Sequence, residues 1–212
     1  MACYEELSES VVSGMRKKVI ELVNELIAAG HEPMKIVNEG LLAGMGIVAE
    51  EFKNGEMFVP DVLMSAKCMN SGLEILKPLL SESDMKSQGK VIIATVQGDL
   101  HDIGKNLVGM LMESGGLEVI DLGVDVSPEK FVEAVKLHQP NILGMAALLT
   151  TTMICMKDTI DLLAKEGLRD KVKVMVGGAP LSQNYSDSIG ADAFAPDAAT
   201  AVTLCKSLIA QA

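Results

Sequence analysis

Val91-Ile92-Ile93-Ala94-Thr95-Val96-Gln97-Gly98-Asp99-Leu100-His101-Asp102-Ile103-Gly104-Lys105-Asn106 is the stretch whose reading decides the fold. The apolar run Val91–Val96 reads as a strand buried on both faces. A Gly-containing loop follows, and a helical pattern starts at Lys105. Strand, tight loop and helix make the unit of an open parallel sheet, in which the loop at the strand's carboxyl end is where ligands sit. The loop holds His101, with Asp99 two residues before it and Gly104 three after it. That pattern suits a metal-ligating imidazole backed by a carboxylate on its other ring nitrogen.

Downstream the unit repeats. Apolar runs at Glu118–Leu122, Ile142–Ala147, Val172–Val176 and Ala191–Ala195 alternate with helical patterns at Pro128–His138, Thr152–Lys165, Leu181–Ile189 and Ala198–Ile209. Such alternation predicts an α/β, doubly wound, five-stranded parallel sheet with helices on both faces. A flavodoxin-like (Rossmann-like) strand order of 2-1-3-4-5 fits, with a switch point between the first and third strands. Upstream only helical spacing appears. Patterns cover Tyr4–Val12, Met15–Ala29, one helix from Pro33 to Lys53-Asn54-Gly55, and a fourth opened by Pro60. They predict a small four-helix bundle. The polar stretch 81–89 reads as a linker. The expected organisation is therefore a helical domain at 1–80, a linker at 81–89 and an α/β domain at 90–212.

Composition excludes several functions. A net charge of −11 argues against nucleic acid and against anionic membrane. No apolar run reaches the roughly 18 residues of a membrane span. The four cysteines, Cys3, Cys68, Cys155 and Cys205, are scattered without a Cys-x-x-Cys pair. With no signal peptide in the acidic N-terminal stretch, they indicate a reducing, cytoplasmic setting. Fourteen methionines against 3% aromatics give an aliphatic, adaptable core.

The proposed strand order brings several strand ends into one crevice. The first contributes Asp99 and His101, and the third Leu148-Leu149-Thr150-Thr151-Thr152. The fourth contributes Gly177-Gly178-Ala179-Pro180, and the fifth Pro196-Asp197-Ala198. The crevice lacks Gly-x-Gly-x-x-Gly and a Walker-type loop, which disfavours a dinucleotide or nucleoside triphosphate. No second His lies near enough for a multi-His zinc site. A single His ligand then implies a metal that arrives inside a macrocycle. Plainer roles compete at each position. Asp102 serves as a partner for a helix N-terminus, the Thr150–Thr152 run as a helix cap, and Gly177-Gly178 as a tight turn. His31 and His138 are read as surface residues at helix C-termini, Met69 as bundle core, and Cys68 and Cys155 as buried and inert.

Asp99-x-His101-x-x-Gly104, the Thr-rich loop and Gly177-Gly178 resemble the cobalamin-binding domain of corrinoid-dependent methyltransferases. The helical half, notably Asn54-Gly55-Glu56-Met57-Phe58-Val59-Pro60, resembles the cap domain of the same family. The likeness spans nearly the whole chain and is similar to the free-standing corrinoid proteins of methylamine, methanol and methoxy-aromatic systems. A related module occurs in methionine synthase. The resemblance implies a cobalamin or related corrinoid whose cobalt takes His101 as lower axial ligand in place of the cofactor's own base. Asp99 would fix the imidazole and Thr152 would hold Asp99. Gly104, Leu148, Thr150, Gly177 and Gly178 would line a slot for the nucleotide tail, with Gly98, Asp102, Ile103, Ala146, Ala179 and Asp197 also on the cofactor. Phe58, Val59, Leu63 and Met64 would cover its upper face. Ala146 stands where the family commonly has Ser against the lower base.

The implied function is methyl carriage, with cobalt cycling between cobalt(I) and methyl-cobalt(III). The methyl would come from a substrate-specific methyltransferase and leave through a second one to tetrahydrofolate or a thiol. A reductive activase is a further implied partner. On this reading the chain is a component of such a system and not a complete enzyme. Two alternatives stay open: a cobalamin-dependent regulator, which normally adds a basic DNA-binding module, and the small subunit of a cobalamin mutase, which normally lacks the helical cap.

Overall fold

The computed structural model describes residues 3–80 and 88–211. They fall into two compact units, the first ending before residue 81 and the second starting after 87, apart from the turn at 114–116. The expected linker at 81–89 lies, through Ser87, outside the described residues.

In the first unit helical spacing yields α1 (Tyr4–Val12), α2 (Arg16–Ala28), α3 (Pro33–Ile36), α4 (Ala43–Asn54) and α5 (Val59–Leu76). Pro33 and Pro60 sit in first turns, where no backbone donor is lost. The α5 start is fixed by the Phe58 N–H, which donates to Asp61 Oδ2 at 2.9 Å. Leu7, Val11, Val19, Leu22, Leu26, Ile36, Leu41, Val48 and Val62 are buried and form the core. The single helix expected from Pro33 onward is instead interrupted. A π turn at Val37–Leu42 joins α3 to α4. Such a wide turn re-aims the residues around it, and here Gly40 and Gly44 lie against α1. A Cβ on Gly40 would stand 2.4 Å from Leu7 Cδ2, and one on Gly44 2.8 Å from the Ser8 carbonyl oxygen. His31, exposed just past the C-terminus of α2 as expected, donates its N–H to the Leu26 carbonyl at 3.1 Å and also places its ring on Tyr4, with Nδ1 2.6 Å from the Tyr4 hydroxyl.

The second unit is the predicted doubly wound sheet. Strands β1 (Lys90–Thr95), β2 (Glu118–Asp121), β3 (Ile142–Ala146), β4 (Lys173–Gly177) and β5 (Ala193–Ala195) pair in parallel in the order 2-1-3-4-5. Helices α6 (Ile103–Ser114), α7 (Pro128–His138), α8 (Ile154–Lys165), α9 (Gln183–Ile189) and α10 (Ala198–Ala210) connect and follow them. Side-chain alternation divides the core. Ile92, Leu143, Met145 and Val174 face one way, onto Phe131 of α7 and Met156 and Leu163 of α8. Val91, Ile93, Ile142 and Met175 face the other, onto Met112 of α6 and Cys205 of α10. Phe131 is wholly buried, and truncating such a side chain costs about 3–5 kcal/mol. Among the described residues no helix is long and apolar enough to cross a membrane.

The register prepares the carboxyl edge. Thr95 pairs with Ala146, Ala146 with Gly177, and Gly177 with Ala195. One row across four strands is thus made of small side chains, on the face that carries α6 and α10.

Candidate functional site

The β1–α6 loop is anchored before it reaches His101. Gly98 adopts φ +81°, a conformation open to glycine, and turns the chain back over the strand end. This drives the Asp99 side chain inward, where it is fully buried. A buried carboxylate demands hydrogen-bond donors, and Asp99 has them on both oxygens. Oδ1 lies 2.6 Å from His101 Nδ1 and accepts the His101 backbone N–H at 3.1 Å. Oδ2 accepts the backbone N–H groups of Leu148 at 2.7 Å and Leu149 at 3.1 Å, and lies 3.0 Å from the Thr152 hydroxyl. That hydroxyl is also 2.9 Å from the Leu149 carbonyl, so its one proton is shared between two acceptors. Burial by itself would raise the Asp99 pKa. The Leu148 amide, the His101 side chain and amide, and the Leu149 amide outweigh it and hold the carboxyl well below the usual carboxylate range.

His101 is held at both ends. Its carbonyl accepts the buried Thr95 hydroxyl at 2.8 Å. Its ring is half exposed, with Nδ1 committed to Asp99. Among the described residues nothing bonds Nε2. Asp99 occupies Nδ1, so Nε2 is the ring nitrogen left facing outward. The arrangement therefore presents one imidazole nitrogen outward, with the ring's orientation fixed from beneath.

The other predicted residues take these places. Leu148 gives its amide to Asp99 while its side chain is exposed, as are Ile103 and Thr150. Asp102 opens α6, accepting the Asn106 backbone N–H on its carbonyl and the Asn106 side chain on its carboxylate. Gly104 faces open space, with nothing within 4 Å of where a Cβ would be. Ala146 and Gly177 lie in the row of small residues. Gly178 has a packing reason of its own: φ is +135°, and a Cβ there would stand 1.9 Å from the Ala147 carbonyl oxygen. Ala179 follows it, exposed. Asp197 caps α10, accepting the Thr200 N–H at 2.7 Å and its hydroxyl at 2.8 Å. Phe58, Val59, Leu63 and Met64 belong to the helical unit, where all four are exposed at the start of α5. Met69 and Cys68 are buried in that unit, while Cys155 is half-buried with its thiol 3.5 Å from the Gln97 carbonyl.

Sequence reading passes over the loop after β2, yet this loop lies beside the first. Asp125 accepts the Gly98 N–H on Oδ1 at 2.7 Å, and its own N–H donates to the Asp99 carbonyl at 3.1 Å. Lys105, read as the first residue of a helix, is buried with its ammonium on Asp121 and, at 2.7 Å, on Asn106 Oδ1. The available signal was the strand order itself, which sets the second strand's loop against the first.

These residues suit a corrinoid. The described residues hold no group of three or more His, Cys, Asp or Glu able to bind a bare ion, and one imidazole alone would hold such an ion poorly. A macrocycle supplies its own equatorial donors and needs one axial nitrogen, which His101 Nε2 can provide. The Thr95–Ala146–Gly177–Ala195 row leaves room where bulkier side chains would fill the sheet face, and a Cβ on Gly177 would already stand 3.1 Å from the Ala195 carbonyl.

Comparison with known proteins agrees. Residues 89–205 match the family described as B12 binding domain, and residues 3–77 match a second family of the same description. A corrinoid protein of Desulfitobacterium hafniense (strain Y51) is 42% identical over 212 residues, covering 99% of this chain and 98% of that one. A dimethylamine corrinoid protein of Methanosarcina barkeri is 43% identical, covering 97% of both. Among solved structures, the methanol:cobalamin methyltransferase complex of Methanosarcina barkeri superposes with a TM-score of 0.86 at 32% identity, over 99% of this chain and 80% of that chain. This chain belongs to the corrinoid proteins, a family of B12-binding chains that serve methyltransferase systems.

Proposed function

We propose that the chain carries methyl groups on a corrinoid whose cobalt is gripped from below by His101 Nε2. The observation that carries the reading is the complete commitment of Asp99: wholly buried, with one oxygen on His101 Nδ1 and the other on two amides and the Thr152 hydroxyl. Bound, the corrinoid supplies a cobalt centre that accepts a methyl group and gives it up again. The chain's residues do the rest. Asp99 keeps the imidazole aimed. Thr152, whose proton can face either Asp99 or the Leu149 carbonyl, lets the Asp99–His101 pair adjust as ligation strengthens or weakens. The small-residue row, with Gly104, Leu148, Thr150 and Gly177, accommodates the nucleotide tail. The exposed Phe58, Val59, Leu63 and Met64 give the helical unit an apolar surface of its own.

A substrate-specific methyltransferase loads the methyl and a second one removes it to tetrahydrofolate or a thiol, with a reductive activase restoring oxidised cobalt. Relatives of matched length named for dimethylamine, and the structural match from a methanol:cobalamin methyltransferase, support this division of labour. The test is the absorption spectrum after loading with methylcobalamin in the dark. The wild type should show the spectrum of cobalamin whose own base is displaced by an imidazole, and His101→Ala should lose it. An unchanged spectrum in His101→Ala overturns the ligation.

A further inference from the structure

We propose that Asp125, in the loop after β2, is a positioning residue for His101; the inference rests on the ligation reading above. Asp125 sits at φ +55°, a backbone region that side chains other than Asn, Asp and Gly rarely occupy. Such conformations persist where the surroundings impose them. Two contacts impose this one. The Asp125 carboxylate accepts the Gly98 N–H at 2.7 Å, and the Asp125 N–H reaches back to the Asp99 carbonyl at 3.1 Å. The two bonds clamp both sides of the turn that drives Asp99 inward. Asp99 in turn sets the ring of His101, three residues beyond Gly98.

The clamp is itself tied to the sheet. Val126 bridges Val96, and its N–H donates to the Thr95 carbonyl at 3.1 Å, while Gly123 accepts the Thr95 N–H at 3.0 Å. Asp121 accepts the Gly123 N–H at 2.8 Å and receives the buried Lys105 ammonium from α6. The segment 121–126 thus links β1, the loop that follows it and the helix after that. Among the described residues the carboxylate at 125 is the side chain of this segment that hydrogen-bonds the Gly98 turn, so the aim of the His101 ring depends on a residue outside the Asp-x-His-x-x-Gly motif.

The experiment separates the carboxylate from the backbone. Asp125→Gly keeps φ +55° at no steric cost but removes the acceptor; Asp125→Asn keeps an oxygen acceptor and tolerates the same φ. Two readouts are taken on the full chain: Gly98 amide exchange without cofactor, and the fraction of bound methylcobalamin showing the imidazole-ligated spectrum. Asp125→Gly should speed Gly98 exchange about tenfold, the factor one lost hydrogen bond supplies, and lower the imidazole-ligated fraction of the folded, cofactor-bound chain. Asp125→Asn should restore both. Wild-type Gly98 exchange, or a full imidazole-ligated fraction, in Asp125→Gly overturns the clamp. A His101→Ala spectrum identical to wild type overturns instead the ligation on which the clamp rests, and the exchange readout, which needs no cofactor, tells the two failures apart.

Discussion

Two loops at the same edge of the same sheet carry an aspartate just before a helix. Asp197, after β5, is exposed and spends its carboxylate on Thr200, three residues away. Asp99, after β1, is fully buried and binds partners about 50 residues away in the β3–α8 loop, together with His101. The first closes a local cap. The second fixes two distant loops and an imidazole in one geometry. Residue type and edge position are shared; burial and the reach of the partners divide a cap from a chemical site.

The sharpest way to break this comparison is to remove both carboxylates in turn. Asp99→Ala leaves the Leu148, Leu149 and His101 amides without their acceptor, while the Thr152 hydroxyl keeps the Leu149 carbonyl, and should destabilise the chain by about 3 kcal/mol. Asp197→Ala should cost about 1 kcal/mol, as lost helix caps do. Urea unfolding compares them, and equal losses would dissolve the distinction. Acid gives a second test. The Asp99 carboxyl titrates below its unfolded value of about 3.9. Its contribution is present above that pH and drains as pH falls below it, because the unfolded chain takes up a proton that the folded chain does not. Wild type should lose urea stability between about pH 4 and pH 3, and Asp99→Asn should show a flatter profile there; parallel profiles would contradict the assignment.

Smaller effects sharpen the picture. Thr152→Val removes one of three donors on Asp99 Oδ2 and should cost about 1 kcal/mol, with Thr152→Ser recovering it in the same unfolding assay. Gly104→Ala meets no atom in the chain and lies in the first turn of α6. It should raise stability by about 0.5 kcal/mol while weakening corrinoid binding in a titration. A variant that is more stable and binds as tightly would remove Gly104 from the cofactor surface.

Much of this was legible in the residues because the physics is periodic. Continuous apolar runs between helical stretches leave few sheet topologies, and 2-1-3-4-5 is one of the common ones. Asp99 and His101 were legible because each belongs to a type and spacing with a chemical reason, whereas Thr152 read by itself only as a helix cap and joined the site through the family resemblance. Asp125 and Lys105 were not legible. Asp125 owes its place to a bond with a neighbouring loop, which no local pattern records. Lys105 is a charged residue at a helix start, where exposure is the ordinary outcome, and it is buried because Asp121 meets it at the end of β2. The π turn at Val37–Leu42 escaped for a similar reason, since its neighbours in α1 lie about 30 residues earlier.

The central claim is that His101 nitrogen is the cobalt's lower ligand. Electron paramagnetic resonance of the chain loaded with cobalt(II) corrinoid tests it, using protein whose histidines carry nitrogen-15 and cofactor of natural isotope content. A spin-one-half axial nitrogen splits each cobalt line into a doublet, and the account predicts that doublet. A triplet, the mark of ordinary nitrogen from the cofactor's own base, would contradict it.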